Sequence, residues 1–436
     1  MKTFLKKVIC VVLSCSFVLP LAAPAFAETA DGTADGSDAA QTVGSAFTQD
    51  DFLVTKGNKI YNKRGSEVVL HGVNLGSWLI QEDWLSPYEE VQDHYDILET
   101  LIGRFGTEKA YELLNTYQDN WITEYDLDEI AAKGFNCVRV PFWYRNFYSD
   151  DNGTKILDEN GEWDFHYLDW IVEKCSERGI YVILDMHGAP GFQSDAPHSG
   201  KRDNCRLYED SDEGEFFRTL TDELWTAIAA RFNGNPAVAM YDLLNEPSCD
   251  CDYGEVTRRK NNTAEYQRIY KAVRAVDSDH IITLECIWTA FALPHKQLVG
   301  FENVVYQVHF YQKSDFIFVL FVLLTKLYYP DTPLMMGEFY PLGTTTWASC
   351  FKAMKKLNYS WMLWTYKASG HGMWESDWVM YGAKDGFERA RVKTDSYEEI
   401  ARKWGECLNT DKGFQETGHF EKNVAPYVKT QNQDFC

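Results

Sequence analysis

Eight short apolar runs, separated by longer amphipathic stretches, constrain this chain more than any other feature of its sequence. They are 68–75 (VVLHGVNL), 137–142 (CVRVPF), 181–187 (YVILDMH), 238–245 (VAMYDLLN), 281–286 (IITLEC), 304–311 (VVYQVHFY), 333–339 (PLMMGEF) and 359–366 (YSWMLWTY). Between them lie helix-like segments such as 165–179, 213–233, 262–276 and 347–357. That alternation reads as parallel strands joined by crossover helices. Eight such units over residues 51–410 predict an α/β fold, a closed (β/α)8 TIM barrel in a single domain, rather than an open sheet. No glycine-rich phosphate loop follows any run, which weighs against a dinucleotide-binding fold. Residues 52–66, turning at Lys56-Gly57-Asn58, read as a short N-terminal hairpin placed to plug the barrel floor.

The chain ahead of the barrel has two parts. Residues 1–27 have the layout of a secretory signal peptide: Lys2, Lys6 and Lys7, then an apolar stretch from Val8 to Pro20, then the small-residue site Ala25-Phe26-Ala27. The apolar stretch is short for a membrane anchor, so the protein is read as secreted and extracellular. Residues 28–50 are small, acidic and without periodicity, and read as a disordered linker. Residues 411–436 read as a C-terminal tail too short for an added binding domain.

The formal net charge is −23, from 42 Lys+Arg and 65 Asp+Glu. Losing a leader with three lysines and no acids makes it −23 − 3 = −26. A pI near 4.8 argues against binding nucleic acids or anionic membranes, which need basic patches, and fits a neutral substrate. Aromatic residues make up 15% of the chain, enough to serve both a core and stacking surfaces for sugar rings. Phe316 to Leu324 is an unbroken apolar run. A membrane span needs about 20 residues, so the run reads as a buried helix between strands six and seven, with an exposed lid or partner patch as the alternative. Of eleven cysteines, Cys10 and Cys15 leave with the leader; the odd number remaining cannot all pair. Cys249-Asp250-Cys251-Asp252 lacks a second Cys or His pair to complete a zinc site, and reads instead as bridged to a neighbouring loop. No metal and no cofactor is called for, and the chain is read as a monomer.

In such a barrel the chemistry sits at the C-terminal ends of the strands. Strand two carries Arg139, strand three ends in Asp185-Met-His187, and strand four in Asn245-Glu246-Pro247. Strand six ends in His309-Phe-Tyr311, strand seven in Gly337-Glu338, and strand eight carries Trp364. Glu246 and Glu338 therefore converge on one mouth. Two carboxyls suit glycoside hydrolysis: one protonates the leaving oxygen, the other attacks the anomeric carbon or activates water. Arg139 beside Glu338 is expected to keep it ionised, and its charge to raise the pKa of Glu246 so that it stays protonated. Asn245 is placed to bond the sugar 2-hydroxyl, Tyr311 to hold the nucleophile, and Trp364 to offer a flat apolar face. Taken singly, each has a plainer reading as a loop acid, a backbone-satisfying histidine or a core aromatic; the conjunction is what is specific.

The sequence resembles glycoside hydrolase family 5 over roughly residues 53–410. The carriers are His71-Gly-Val-Asn-Leu-Gly-Ser-Trp78, Val138-Arg139-Val-Pro141, Leu184-Asp-Met-His-Gly-Ala-Pro-Gly191, Leu244-Asn-Glu-Pro247, His309-Phe-Tyr311, Gly337-Glu338 and Trp364. The resemblance implies Glu246 as acid/base and Glu338 as nucleophile, with Arg139, His187, Asn245, His309, Tyr311 and Trp364 at the other active-site positions. G-V-N-L-G-S-W-L-I-Q-E, H-G-A-P-G-F-Q and, later, H-S-G-K-R-D from His198 are similar to the exo-β-1,3-glucanases of that family. The likeness implies that Glu82 holds a terminal glucose and that Tyr144 stands where the subgroup places an aromatic; Trp84 and Trp288 are read as further candidates to wall the pocket beside Tyr144. The loop 192–204, the short segment between strands six and seven, and Cys249–Asp252 depart from that pattern. The expected substrate is thus a β-glucan or oligosaccharide. An endo-acting β-glucanase (cellulase or β-1,6-glucanase) or mannanase shares the chemistry. A non-catalytic sugar-binding barrel would lack a carboxylate, and a metal-dependent hydrolase would need more ligands than Asp185 and His187.

Overall fold

A computed structural model of the chain describes residues 46–247, 255–285, 291–370 and 379–432. The leader, most of the linker, the Cys249–Asp252 motif and Trp288 lie outside them, as does the bridge expected at that motif. Among the described residues, eight parallel strands close into one barrel. In chain order they are β1 (His71–Asn74), β2 (Cys137–Trp143), β3 (Tyr181–Gly188) and β4 (Val238–Asp242). β5 (Ile281–Glu285), β6 (Val304–Gln312), β7 (Leu334–Pro341) and β8 (Ser360–Leu363) complete it. Each pairs with the next, and β8 closes onto β1 with Trp361 opposite His71. All of β2 to β5 is buried, because helices cover the outside while side chains fill the inside. This is why the strands read as continuous apolar runs and not as alternating ones.

The helices fall on the amphipathic segments: His166–Glu177, Asp212–Phe232, Glu255–Arg274 and Trp347–Leu357. Ser211 and Thr346 cap two of them, accepting from the amides of Gly214 and Ser349. The hairpin pairs Leu53–Lys56 with Lys59–Asn62. Leu53 and Ile60 are buried, and Thr55 N donates to Asn303 Oδ1 at 2.8 Å, just ahead of β6. Tyr181, the first residue of β3, donates its hydroxyl to Asp51 O at 2.8 Å. The hairpin region thus sits beneath the N-terminal ends of the strands.

Two segments differ from expectation. The helix Asp315–Tyr328 is buried on one face only. Phe318, Phe321, Val322 and Thr325 pack inward, whereas Phe316 and Leu327 are 74% and 66% exposed and Val319 and Leu323 continue the same outer stripe. An all-apolar run carries no periodicity to show which face meets the barrel. The segment read as a tail also packs on the domain. Phe414–Glu416 pairs antiparallel with Tyr381–Ala383, and Phe420, Val424 and Val428 are buried. Among the described residues no helix is long and apolar enough to cross a membrane. Cys137, Cys175, Cys350 and Cys407 carry free thiols.

Candidate active site

Arg139 projects from β2 into the closed barrel, fully buried among carboxylates. Its Nε donates to Asp242 Oδ2 at 2.8 Å, Nη1 to Glu338 Oε1 at 3.0 Å and to Asn74 Oδ1 at 3.0 Å. Nη2 donates to Asn245 Oδ1 at 2.9 Å and lies 3.1 Å from Asp185 Oδ2 and 3.4 Å from Glu285 Oε1. Burial works against its charge, but Asp185, Asp242, Glu338 and Glu285 more than restore it and raise its pKa.

Glu338 sits where β7 slips register against β6, facing His309. Gly337 before it is required by packing: a Cβ there would stand 2.2 Å from Gln307 Oε1. Tyr311 donates its hydroxyl to Glu338 Oε2 at 2.7 Å, so each oxygen of Glu338 has one donor, from Arg139 or from Tyr311. Glu246 follows β4 with φ of 38°, a left-handed conformation that costs a non-glycine residue on the order of 1–3 kcal/mol. Its amide donates to Glu285 Oε2 at 2.6 Å. His309 Nδ1 lies 2.8 Å from Glu246 Oε1 and 3.4 Å from Glu338 Oε2, and its Nε2 lies 2.9 Å from Glu285 Oε1. The last contact is an ion pair, not a straight hydrogen bond. His198 Nε2 stands 3.6 Å from Glu246 Oε2 on the outer side.

His187 donates from Nδ1 to Asp185 Oδ2 at 2.7 Å, and Asn245 Nδ2 approaches its Nε2 at 3.2 Å. Burial, then the charge of Arg139, pushes the His187 pKa well down, so the ring is neutral and Nε2 accepts. Asn245 therefore spends its oxygen and one N–H on the framework and keeps one N–H for a ligand. Trp364 lies parallel to the His187 ring, 6° between planes.

The protons are not distributed as expected. His309 would be neutral from burial alone, but Glu285, Glu338 and Glu246 raise its pKa well above the usual value and make it a cation. Burial pushes the Glu246 carboxyl up, but the hydrogen bond from His309 and the electrostatic pull of His198 and His309 outweigh it and hold it at about 2. Burial raises Glu338; Glu246 adds to this, His309 and Arg139 oppose it, and it stands at about 7. The order is the reverse of that inferred from Arg139 alone, because His309 lies closer to Glu246. The Glu246–His309 pair still holds one proton, on Nδ1. Burial also raises Asp185 to about 7 and Asp242 to about 6.

These groups open onto a cavity of about 330 Å³ lined by Glu82, Trp84, His187, His198, Asn245, Glu246, Tyr311, Glu338 and Trp364. Glu82 is 6% exposed and accepts from Trp84 Nε1 at 2.9 Å. Burial pushes its carboxyl up to about 8. Tyr144 is not among the lining residues. It is buried behind the mouth, its hydroxyl 2.5 Å from Asp151 Oδ1 and its ring edge-on to Phe192 and Trp143. Arg139 and His309 lie beneath the cavity. Glu246, His309 and Glu338 could offer three ligand atoms within 4.8 Å of one another. With both ring nitrogens of His309 facing carboxylates, that trio suits an imidazolium and does not fit a metal ligand set.

Three contributors escaped the sequence reading, Asp242, Glu285 and Gln307, and His198, within the H-S-G-K-R-D motif, had no role assigned. The available signal was a charged residue within an otherwise apolar strand, as in M-Y-D-L and T-L-E-C. Gln307 Nε2 joins the first two, donating to Asp242 Oδ2 and Glu285 Oε1 at 2.8 Å each.

A family model described as cellulase (glycosyl hydrolase family 5) matches residues 100–370, more than half of the chain. Among curated proteins, the chain is 30% identical over 268 residues to a beta-xylosidase of Phanerodontia chrysosporium, covering 61% of this chain and 53% of that protein. It is 30% identical over 264 residues to a glucan 1,3-beta-glucosidase of Candida oleophila, covering 56% of this chain and 59% of that one. The chain thus aligns with between half and two thirds of the length of these relatives. A solved rutinosidase from Aspergillus niger superposes with a TM-score of 0.54 at 16% identity, over 70% of this chain and 91% of that one, a likeness of fold.

Proposed function

The chain belongs to glycosyl hydrolase family 5, and on that premise we propose that it is a secreted, retaining β-glycosidase that removes terminal glucose from β-glucans. The observation that carries the retaining reading is the approach of Glu246 and Glu338, with carboxylate oxygens within 4.8 Å. Retaining enzymes hold their carboxyls about 5–5.5 Å apart, and inverting ones about 6.5–9.5 Å to admit a water. In the first step an oxygen of Glu338 attacks the anomeric carbon and the bond to the leaving oxygen breaks. The leaving oxygen takes a proton from Glu246, which Glu246 draws from His309 Nδ1 as the sugar displaces water. In the second step Glu246 takes a proton from water, whose oxygen displaces Glu338, and hands that proton back to His309 Nδ1. Arg139 and Tyr311 orient Glu338 and stabilise its charge as it leaves.

Exo action rests on Glu82. A buried carboxyl in the cavity wall, braced by Trp84, is suited to the hydroxyls of a terminal sugar. The names of the glucan 1,3-beta-glucosidase relatives support the glucan reading. The beta-xylosidase relative favours a second one, in which a pentoside is cleaved by the same chemistry. Secretion rests on the leader-like residues 1–27. Proton NMR of the first sugar released from laminari-oligosaccharides tests the proposal: β-glucose before mutarotation is expected. An α-anomer overturns retention, and no release of glucose overturns exo-β-glucanase action.

A further inference from the structure

The double displacement leaves carboxylates of the network without a role, Glu285 among them. Glu285, the last residue of β5, is buried and does not line the cavity. It nonetheless touches both halves of the acid machinery: Oε2 accepts from the Glu246 amide at 2.6 Å, and Oε1 lies 2.9 Å from His309 Nε2. Gln307 and Tyr266 hold it in turn, Gln307 Nε2 donating to Oε1 at 2.8 Å and the Glu285 amide donating to the Tyr266 hydroxyl at 3.0 Å.

We propose that Glu285 is a positioning residue, which pins the Glu246 peptide in its left-handed conformation and keeps His309 a cation between Glu246 and Glu338. The inference rests on the roles given above to those two glutamates.

Three carboxylates face His309: Glu246 beyond β4, Glu285 on β5 and Glu338 on β7. Around these stand Arg139 on β2, Asp185 and His187 on β3, Asp242 on β4 and Tyr311 on β6. During turnover Glu338 becomes a neutral ester and Glu246 gains and loses a proton. Glu285 alone of the three is away from the sugar and undergoes no change of bonding in the cycle. Burial leaves its pKa raised overall, and the cations His309 and Arg139 act against that to favour the ionised form. Without it, His309 would shed its proton as Glu338 is esterified, and Glu246 would lose its proton source when the leaving group needs one.

The test uses the full-length protein and two variants. Glu285→Gln keeps the shape and an acceptor for the Glu246 amide but removes the charge. Glu285 raises the pKa of both His309 and Glu338 in the wild type, so removing its charge lowers both, and the bell-shaped pH profile of kcat/KM is expected to move to lower pH by about one unit. In ¹⁵N spectra His309, assigned by its loss in His309→Gln, is expected to change from doubly to singly protonated near neutral pH. Glu285→Asp keeps the charge but shortens the reach. It is expected to keep the wild-type pH profile, while kcat falls on the order of tenfold and KM changes less. An unmoved profile with His309 still doubly protonated in Glu285→Gln overturns the proposal, as does unchanged kcat in Glu285→Asp. Should the Gln variant not fold, the Asp variant decides on kcat alone. Failure here is separable from failure of the underlying roles, because Glu246→Ala tests the acid by its leaving-group dependence whatever Glu285 does.

Discussion

Arg139 reaches Glu338 from inside the barrel, Nη1 to Oε1 at 3.0 Å, with both side chains buried. The same guanidinium faces Asp185, Asp242 and Glu285, so its removal strands several carboxylates at once. Breaking a buried ion pair by deleting one partner costs about 3–5 kcal/mol. Arg139→Ala is therefore expected to lose at least that much stability in urea unfolding. Arg139→Lys keeps the charge but not the planar set of donors, and should fold yet lose on the order of a hundredfold in kcat/KM. A stable, active Arg139→Ala enzyme would contradict the network described.

The two glutamates separate by leaving group. Glu338→Ala should be inactive on every glycoside, since the covalent step is gone. Glu246→Ala should lose on the order of 10²–10⁴-fold on unactivated substrates, yet still form the glycosyl-enzyme from dinitrophenyl glycosides, whose leaving group needs no proton. Equal losses on both substrate classes would contradict the acid role of Glu246.

How much of this was legible in the sequence follows from what fixes each part. The eight strands were readable because a parallel barrel buries both faces, and the runs are continuous in apolar residues. Glu246, Glu338, His309 and Tyr311 were readable because strand ends place them at one mouth whatever the loops do. Asp242 and Glu285 were not, because only the closed barrel shows which strand-borne carboxylates meet Arg139. The proton order failed for the same reason, since the distance from His309 to Glu246 is tertiary. Tyr144 follows β2 directly, but its hydroxyl turns to Asp151 and away from the cavity.

Stability should fall as pH rises from about 6.5 to about 8. Glu82, Glu338 and Asp185 have folded-state values of about 8, 7 and 7, above the roughly 4 of unfolded carboxyls. The folded state therefore binds more protons than the unfolded state in that window, and loses its advantage as they leave. His309, raised in the fold, acts in the same direction above its unfolded value of about 6.5. Glu246, lowered to about 2, contributes stability that is lost only in strong acid. A thermal-shift series across pH 6.5–8 checks this; a Tm that rises with pH would contradict it.

The helix Asp315–Tyr328 should show two faces. Phe321, stacked on Phe310 with centroids 3.7 Å apart, is expected to cost about 3–5 kcal/mol when truncated to alanine. Phe316 and Leu327, on the exposed stripe, should change stability by about 0.5 kcal/mol or less as Phe316→Lys or Leu327→Lys. Comparable losses on both faces in chemical unfolding would mean that the outer stripe is covered.

Glu82→Ala should cut kcat/KM on laminari-oligosaccharides roughly ten- to a hundredfold, because truncating a buried hydrogen-bonding partner leaves sugar hydroxyls unpaired at a cost of about 1–3 kcal/mol. Glucose should dominate the early products of the unmutated enzyme. A ladder of longer oligosaccharides, with Glu82→Ala nearly silent, would point to an open endo-acting cleft.

The central claim is that Glu338 forms a covalent bond to the sugar, and trapping that bond tests it most directly. The protein is incubated with a 2-deoxy-2-fluoro-β-glucoside bearing a dinitrophenyl leaving group, then weighed intact and mapped by peptide mass spectrometry. The account predicts one fluoroglucosyl group per chain, attached to Glu338. A reactive enzyme that hydrolyses β-glucosides but carries no adduct, or carries it on Glu246, would contradict the account.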